Sequence, residues 1–521
     1  MKKIIAAFIA FSLLLDLAAC GSKEDFAVGG KKGFAGGTGT AADPYQIGNA
    51  DQLRYLAEMY ALEGYEASCY VLMADIDLGG KAWASLGTDA KPFTGTFDGN
   101  GFTVSNFKIR DDSPDVGFFG KLLGTVRDLT VADAQISSSH DSATIGAIAG
   151  DVFGGTVEGC RTGSGVTVSG KYHVGGIVGN TNDTAVIRNC ENNAEVTGEG
   201  IVAYAGGIIA RAACPLEGCV NNGNISSPEA DAAGIAVSAN MSVVGCVNTG
   251  TVTAEDYAAG IVARFSDGAL NHSQNDASVT LLRCENRGDV TSLKDCAAGI
   301  AVSCRTGSVV DCVNRGDIRG AMQLGGIVGY FQISSFGGHC ELFTVSGCEN
   351  HGTVTAVDAE TSLYGVGGII GRIEGQKTAV VIDACVNTGA IVGASATGGI
   401  VGDGEFLDIK ITSCVNSGAV LGAQIAGGIL GGAEPLEEGT SILLIDGCDN
   451  SGSVYADAPK GFRSHYYCGG ILGHCDVTFS SELPFASAEI LNCENTGSLS
   501  GAIDRSVLCI HDLCGTWARQ D

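Results

Sequence analysis

One short pattern returns along almost the whole chain, and any fold must accommodate it once per repeat. It is clearest at Cys246-Val-Asn248-Thr-Gly250-Thr-Val252, followed some seven residues later by Ala259-Gly260-Ile261-Val262. The Cys-x-Asn pair occurs ten times, at Cys190, Cys219, Cys246, Cys284, Cys312, Cys348, Cys385, Cys414, Cys448 and Cys493, with a degenerate eleventh at Cys160 and steps of 27 to 45 residues. Self-similarity at such a period predicts a solenoid, in which each repeat buries its apolar edge against the next copy.

The unit also selects the kind of solenoid. Counted from each Cys, positions +2 (Asn), +4 (usually Gly) and +6 (Val, Ile or Leu) form a period-2 series, which places them on one face of an extended chain. An apolar residue sits three before every Cys, from Ile187 to Ile490, and helical spacing is absent. A second apolar run, Gly-Gly-Ile-Val-Gly at Gly175 to Gly179, recurs with variation at Gly206, Gly325, Gly367, Gly398, Gly427 and Gly469. Short β-branched runs punctuated by Gly describe the sides and corners of a coil, so the expected fold is all-β: a parallel β-helix (β-solenoid) of about 12 coils with a short N-terminal capping helix. Composition agrees. The 521 residues include 79 Gly but only 8 Pro, with 45% hydrophobic and 17% charged residues. Glycine at this level without a triplet period or abundant proline argues against collagen and against disorder. A solenoid core grows along one axis, so a chain of this length need not divide into several domains.

The net charge of −28, from 58 acidic and 30 basic residues, makes nucleic acid and anionic headgroups poor partners, since both require positive potential. The charge reads as solubility of a β-rich surface, with a cation-binding acidic face as the alternative.

Met1 to Cys20 carries Lys2-Lys3, an apolar run from Ile4 to Leu15, and Leu17-Ala18-Ala19-Cys20. This resembles a bacterial lipoprotein signal with its lipobox. The resemblance implies that residues 1–19 are removed, that Cys20 is acylated, and that the protein meets the membrane through that N-terminal lipid. A transmembrane anchor needs ~20 apolar residues, and about a dozen are present. Residues 20–43, rich in Gly, Lys, Ala and Thr, read as a flexible tether. In residues 44–92, Leu53, Leu56, Met59 and Tyr60 fall at helical spacing behind an Asn49 or Asp51 N-cap, which suits a helix closing the open edge of a β-helix. Solenoid repeats are expected over 93–501, and a second cap over 502–521, where Cys509 and Cys514 break the repeat.

Pro44-Tyr45, Asp75 to Leu78, Phe93 to Val104, Gly117-Phe-Phe-Gly120 and the serial Gly-Gly-Ile-Val-Gly units together resemble the GLUG-motif repeat proteins, bacterial surface proteins with predicted β-solenoids. The resemblance spans about residues 34 to 500. Similar repeats precede the catalytic domain of the immunoglobulin A1-specific metallopeptidases. The zinc motif of that domain has no counterpart here, because none of the eight His is followed by Glu. The reading is therefore a cell-surface, lipid-anchored binding or adhesion module, monomeric and without cofactor or catalytic residues. The alternative is a carbohydrate-active β-helix enzyme, a polysaccharide lyase or hydrolase. That alternative would require two or three carboxylates and a base clustered on one outer face.

Other residues with chemical potential read as structure. Asp311, Asp383 and Asp446 each lie one or two residues before a repeat Cys, which points to a corner role. Asp98-Gly-Asn-Gly101 reads as a turn rather than a calcium loop. The repeat Cys reads as a row of small buried side chains, whose stacked thiols could pair if geometry allowed, and the repeat Asn as an amide ladder. His465, Cys468, His474 and Cys475 match no common zinc spacing, so no metal site is expected.

Insertions enter the long repeats after the Gly-Gly-Ile run: Phe265 to Ser278, Tyr330 to Leu342, Gly432 to Thr440 and His474 to Ser487. They should stack along one edge. The candidate binding edge is therefore Phe265, Tyr330, Phe331, Phe336, Phe479 and Phe485, with Phe462, Tyr466 and Tyr467 from the neighbouring corner. Exposed aromatics there would stack on a glycan or pack against a host or neighbouring surface protein. Otherwise they cover the coil edge.

Overall fold

A computed structural model of the chain describes residues 33–61, 65, 67–265, 279–332, 342–357, 365–393, 395–435, 441–456, 467–475 and 487–501. The chain divides into two compact units, one formed by Met1–Glu199 with Gly207–Cys214 and the other by Gly200–Gly206 with Pro215–Asp521. Each is a parallel β-solenoid.

In the second unit one turn runs through Val243–Val244, Val247–Asn248, Val252–Ala254, Ala258–Ala259 and Val262–Phe265. The next turn repeats these five strands at Thr280–Leu282, Glu285–Asn286, Val290–Ser292, Cys296–Ala298 and Ala301–Cys304, each parallel to and in register with its predecessor. The first unit follows the same plan. Phe119–Leu122, Ala149–Val152, Val178–Thr181 and Ile209–Ala212 pair in series. Its pairing begins at Tyr45–Ile47, which lies on Cys69–Leu72 and, through it, Thr96–Asp98. The helix Ala50–Ala61 follows that first strand. Asn49 Oδ1 accepts from the Gln52 N–H at 3.1 Å, so Asn49 is the N-cap. Leu53, Leu56 and Tyr60 are buried, while Met59 is half-buried. Among the described residues no helix is long and apolar enough to cross a membrane.

The recurring motif builds one corner of each coil that carries it. In the second unit the buried Asn side chains run in a single file: Asn221 Nδ2 donates to Asn248 Oδ1, Asn248 to Asn286, Asn286 to Asn314, Asn314 to Asn350, and so on to Asn495, all at 2.7–2.8 Å. The second proton of each Nδ2 goes to the carbonyl two residues on, as from Asn248 to Gly250 at 2.9 Å. Every amide points the same way, so the dipoles add along the file. The Gly at +4 is dictated by closeness: a Cβ on Gly316 would lie 1.9 Å from the Gly288 carbonyl oxygen. The first Gly downstream is equally constrained, since a Cβ on Gly260 would lie 2.3 Å from Asn286 Cγ. Cys, Asn and both Gly are thus one device for stacking coils at minimum separation.

The repeat thiols are buried beside this file. Cys312 Sγ donates to the Leu281 carbonyl at 3.5 Å and Cys348 Sγ to the Val309 carbonyl at 3.5 Å, each a backbone acceptor one coil back. Fifteen of the described cysteines are free thiols, all buried, whereas Cys69 is disulfide-bonded. Burial pushes Cys160 up to about 12, which keeps it a protonated, inert small side chain.

The residue before each repeat Cys is left-handed, with φ between 51° and 63° from Gly159 to Asn492. Gly, Asn and Asp adopt this conformation at low cost, but Arg283, Ala384 and Ser413 occupy it too. Asp311 sits at that position. Asp383 and Asp446 flank it and accept from Thr412 Oγ1 at 2.6 Å and Asn492 Nδ2 at 2.9 Å. The corner role expected of these aspartates is what the geometry gives.

Candidate functional site

Because the motif is spent on stacking, individuality must lie elsewhere, and it concentrates where the short strand before each Gly-Gly-Ile turn meets the strand after it. In the second unit Asp231 Oδ2 accepts from Arg264 Nε at 2.7 Å, and the Arg264 guanidinium lies 4.4 Å from the Tyr257 ring centroid. The Tyr257 and Tyr330 hydroxyls meet at 2.7 Å. Ala233, Val237, Ala259, Ala263, Cys296, Ala298 and Val302 form a buried cluster beneath them, against which Tyr204, Met322 and both tyrosines pack. Burial raises both tyrosine hydroxyls above their ordinary range. They remain neutral hydrogen-bonding groups rather than bases. Further along, Arg372 bonds Glu374 Oε1 and Asp403 Oδ2, each at 2.8 Å. Its rung partners are Tyr330 on one side and Asp403 on the other.

The first unit carries its own version of the seam. Lys121 contacts Asp151, its register partner one coil on, and also Asp89 at 3.2 Å. Asn180 Nδ2 donates to Asp151 Oδ1 at 2.8 Å. Asp115 accepts from Thr144 Oγ1 at 2.6 Å, and burial raises its carboxyl above the usual range. His173, on the same row as Thr144, is held down to about 4 by burial and by Arg211. Three carboxylates and a base therefore stand together, the composition that a carbohydrate-active enzyme would need. Yet both Asp151 oxygens are engaged, and its side chain is only 9% exposed. This is an ion-pair network more than an open cleft.

A separate open cleft of about 550 Å³ is lined by Asp98, Asn100, Arg127, Asp128, Glu158 and Asn189. Asp98 Oδ1 accepts from the Asn100 N–H at 2.7 Å, and Asp98 Oδ2 accepts from Arg127 at 2.8 Å. The Asp98 to Gly101 segment is accordingly a turn pinned by an ion pair.

The aromatic edge divides. Phe265 and Phe331 are fully buried, which corrects their placement on an exposed edge. They occupy one core row with Ala239, Cys304 and Ile373, and the Phe331 ring stacks on Phe343 at 4.1 Å. Alternation in these short strands turns that position inward, where a large ring fills coil volume. Tyr330 is half-buried in the seam, and Tyr467 is half-buried with its ring stacked on His474 at 4.0 Å. Phe336, Phe462, Tyr466, Phe479 and Phe485 lie outside the described residues, as do Cys20 and His465. Cys468 is buried and donates to the Val454 carbonyl at 3.6 Å. Among the described residues no group of three or more His, Cys, Asp or Glu could hold a metal ion. The strands from which the four insertions depart do align: Val262, Val328, Leu430 and Leu472 lie on one continuous register row with Ala301, Ile370 and Val401 of coils that carry no such insertion. Sequence reasoning missed the seam because its residues share no type from coil to coil, and only register brings them together.

No protein-family model matches the chain. Over 170 residues it is 34% identical to Halomucin of Haloquadratum walsbyi, covering 29% of this chain and 2% of that protein. Over 130 residues it is 36% identical to a protein of Evansella cellulosilytica provisionally named Gly-rich membrane protein, covering 23% of this chain and 15% of that one. The chain thus spans a small part of the length of these relatives. A crystal structure from Bacteroides ovatus, provisionally named an immunoglobulin A1 protease, covers 71% of this chain and 86% of its own at 20% identity with a TM-score of 0.30. By its own strand register, the chain is a parallel β-solenoid.

Proposed function

We propose that this protein is a lipid-anchored cell-surface binding module that recognises a glycan or a surface protein along the edge from which its insertions depart. The observation that carries the reading is that the strands bearing the four insertions, at Val262, Val328, Leu430 and Leu472, lie on a single register row, which gives those loops a common edge. The lipobox-like Leu17-Ala18-Ala19-Cys20 supports envelope localisation, and the name of the Evansella relative, a membrane protein, agrees with it. Tyr330 and Tyr467 are the aromatic contacts to test, together with Phe336, Phe462, Tyr466, Phe479 and Phe485. The glycan-cleaving alternative draws on the carboxylate and lysine cluster around Asp151. The engaged oxygens of that carboxylate weigh against it.

The deciding experiment applies the purified full-length protein in detergent to glycan and surface-protein arrays, with reducing-end assays on every hit. Retention of a ligand without new reducing ends is the expected result, weakened several-fold by Tyr330→Ala, on the order of 1 kcal/mol per lost aromatic contact. New reducing ends would favour the enzyme, and no retained ligand would defeat the reading. Anchoring is checked separately: Cys20→Ala should leave the detergent phase, and equal membrane retention would sink the lipid anchor.

A further inference from the structure

Three lysines pair with carboxylates of neighbouring coils among the described residues, and their surroundings differ. Lys171 with Asp141 and Lys294 with Glu255 lie at the surface, the lysine side chains 45% and 71% exposed. Lys121 with Asp151 is enclosed, at 17% and 9%. The strands that carry it, Phe119–Leu122 and Ala149–Val152, hold the two residues directly opposite each other. The Phe153 ring lies 5.3 Å from Lys121 Nζ. Asn180 Nδ2 grips Asp151 Oδ1, and the Asp115 carboxyl, bonded to Thr144, stands close enough to act electrostatically on both partners.

We propose that Lys121 and Asp151 condense into an intramolecular amide that covalently staples two adjacent coils. Nζ bonds to Asp151 Cγ, and Oδ2 leaves as water, taking two of the three ammonium protons. The ion pair and the amide are both neutral overall, so no charge is left uncompensated in a low-dielectric site. No co-reactant is needed. Each neighbour has a role in the step. Register pairing supplies proximity, converting a bimolecular condensation into one within a fixed geometry. Asn180 Nδ2 donates to the oxygen that carries negative charge in the tetrahedral intermediate. Asp115, whose carboxylate burial makes a stronger base than usual, accepts a proton from the ammonium and delivers it to the departing oxygen. Asp89 also touches Lys121, but its side chain is 71% exposed and so remains hydrated. Asp151 is therefore the acyl partner. Lys171 and Lys294 lack that enclosure and remain free amines.

The test is peptide mapping by mass spectrometry of the full-length protein after days at neutral pH. The expected product is one joined peptide containing Lys121 and Asp151, lighter than the sum of its parts by one water, with no tryptic cleavage after Lys121. Asp115→Asn and Asn180→Ala should each reduce the joined fraction at least tenfold while circular dichroism stays that of the native protein, and Lys121→Arg should abolish it. Separate, unmodified Lys121 and Asp151 peptides in the folded wild-type protein would overturn the proposal. So would a joined peptide at Asp89, Lys171 or Lys294, since enclosure would then not be the selecting feature.

Discussion

The asparagine file and the polar seam occupy the same coils and obey opposite rules. Along the file every rung repeats the same chemistry: an amide that donates to the next amide and a glycine against which the neighbouring carbonyl rests. Along the seam the register row Ser238, Arg264, Ser303, Tyr330, Arg372 and Asp403 changes character at each step. The difference is one of tolerance. A file position touches the coil before and the coil after at van der Waals limit, so each residue must suit its own copies. A seam position faces a different strand across a corner, and there any complementary pair is acceptable.

The contrast breaks most severely at Gly316→Ala. The new Cβ would approach the Gly288 carbonyl at 1.9 Å, a backbone atom with no room to yield. A loss of about 3 kcal/mol or more is expected, and hydrogen exchange should show the adjacent coils opening while distant ones stay protected. Uniform loss across all coils would contradict a core with only nearest-neighbour contacts.

Asn314→Ala removes the acceptor of Asn286 Nδ2 and the donor to both Asn350 Oδ1 and the Gly316 carbonyl. Leaving such buried groups without partners should cost roughly 3 kcal/mol in urea unfolding. A cost no greater than that of an exposed substitution such as Thr251→Ala would mean that the file is not what holds the coils.

On the seam, His173 makes the first unit pH-sensitive. Its folded value near 4 lies below the ordinary 6.5, so between the two the unfolded chain binds the extra proton. Stability is undiminished above pH 6.5 and falls as the pH drops, approaching a loss of roughly 3 kcal/mol at pH 4. Thermal melts of wild type and His173→Gln across pH 4 to 7 should diverge in that window, and parallel curves would place the acid sensitivity elsewhere.

The smallest effect is expected from Tyr330→Phe, which deletes the hydroxyl facing Tyr257 and keeps the ring. About 1 kcal/mol should be lost. A loss as large as that of Asn314→Ala would show that the seam is as stringent as the file.

These expectations trace a boundary between two kinds of information. Repetition made the solenoid legible: a Cys, Asn and Gly returning at even offsets announces one buried face, and the amide file follows because identical amides in register meet their own copies, each able to donate and accept. The helix was legible for a similar reason, since its Asn49 or Asp51 cap and the buried Leu53 and Leu56 act within about two turns. Tertiary structure alone decided which aromatics are core and which are surface. Phe331 and Tyr330 are neighbours in sequence, and only the sense of one short strand sends the first onto Phe343 and the second to Tyr257. It alone also joined Lys121 to Asp151 and Asp231 to Arg264, residues 30 and 33 positions apart. No local pattern marks such pairs, because their attraction depends on burial and register, which the chain acquires only when the coils close.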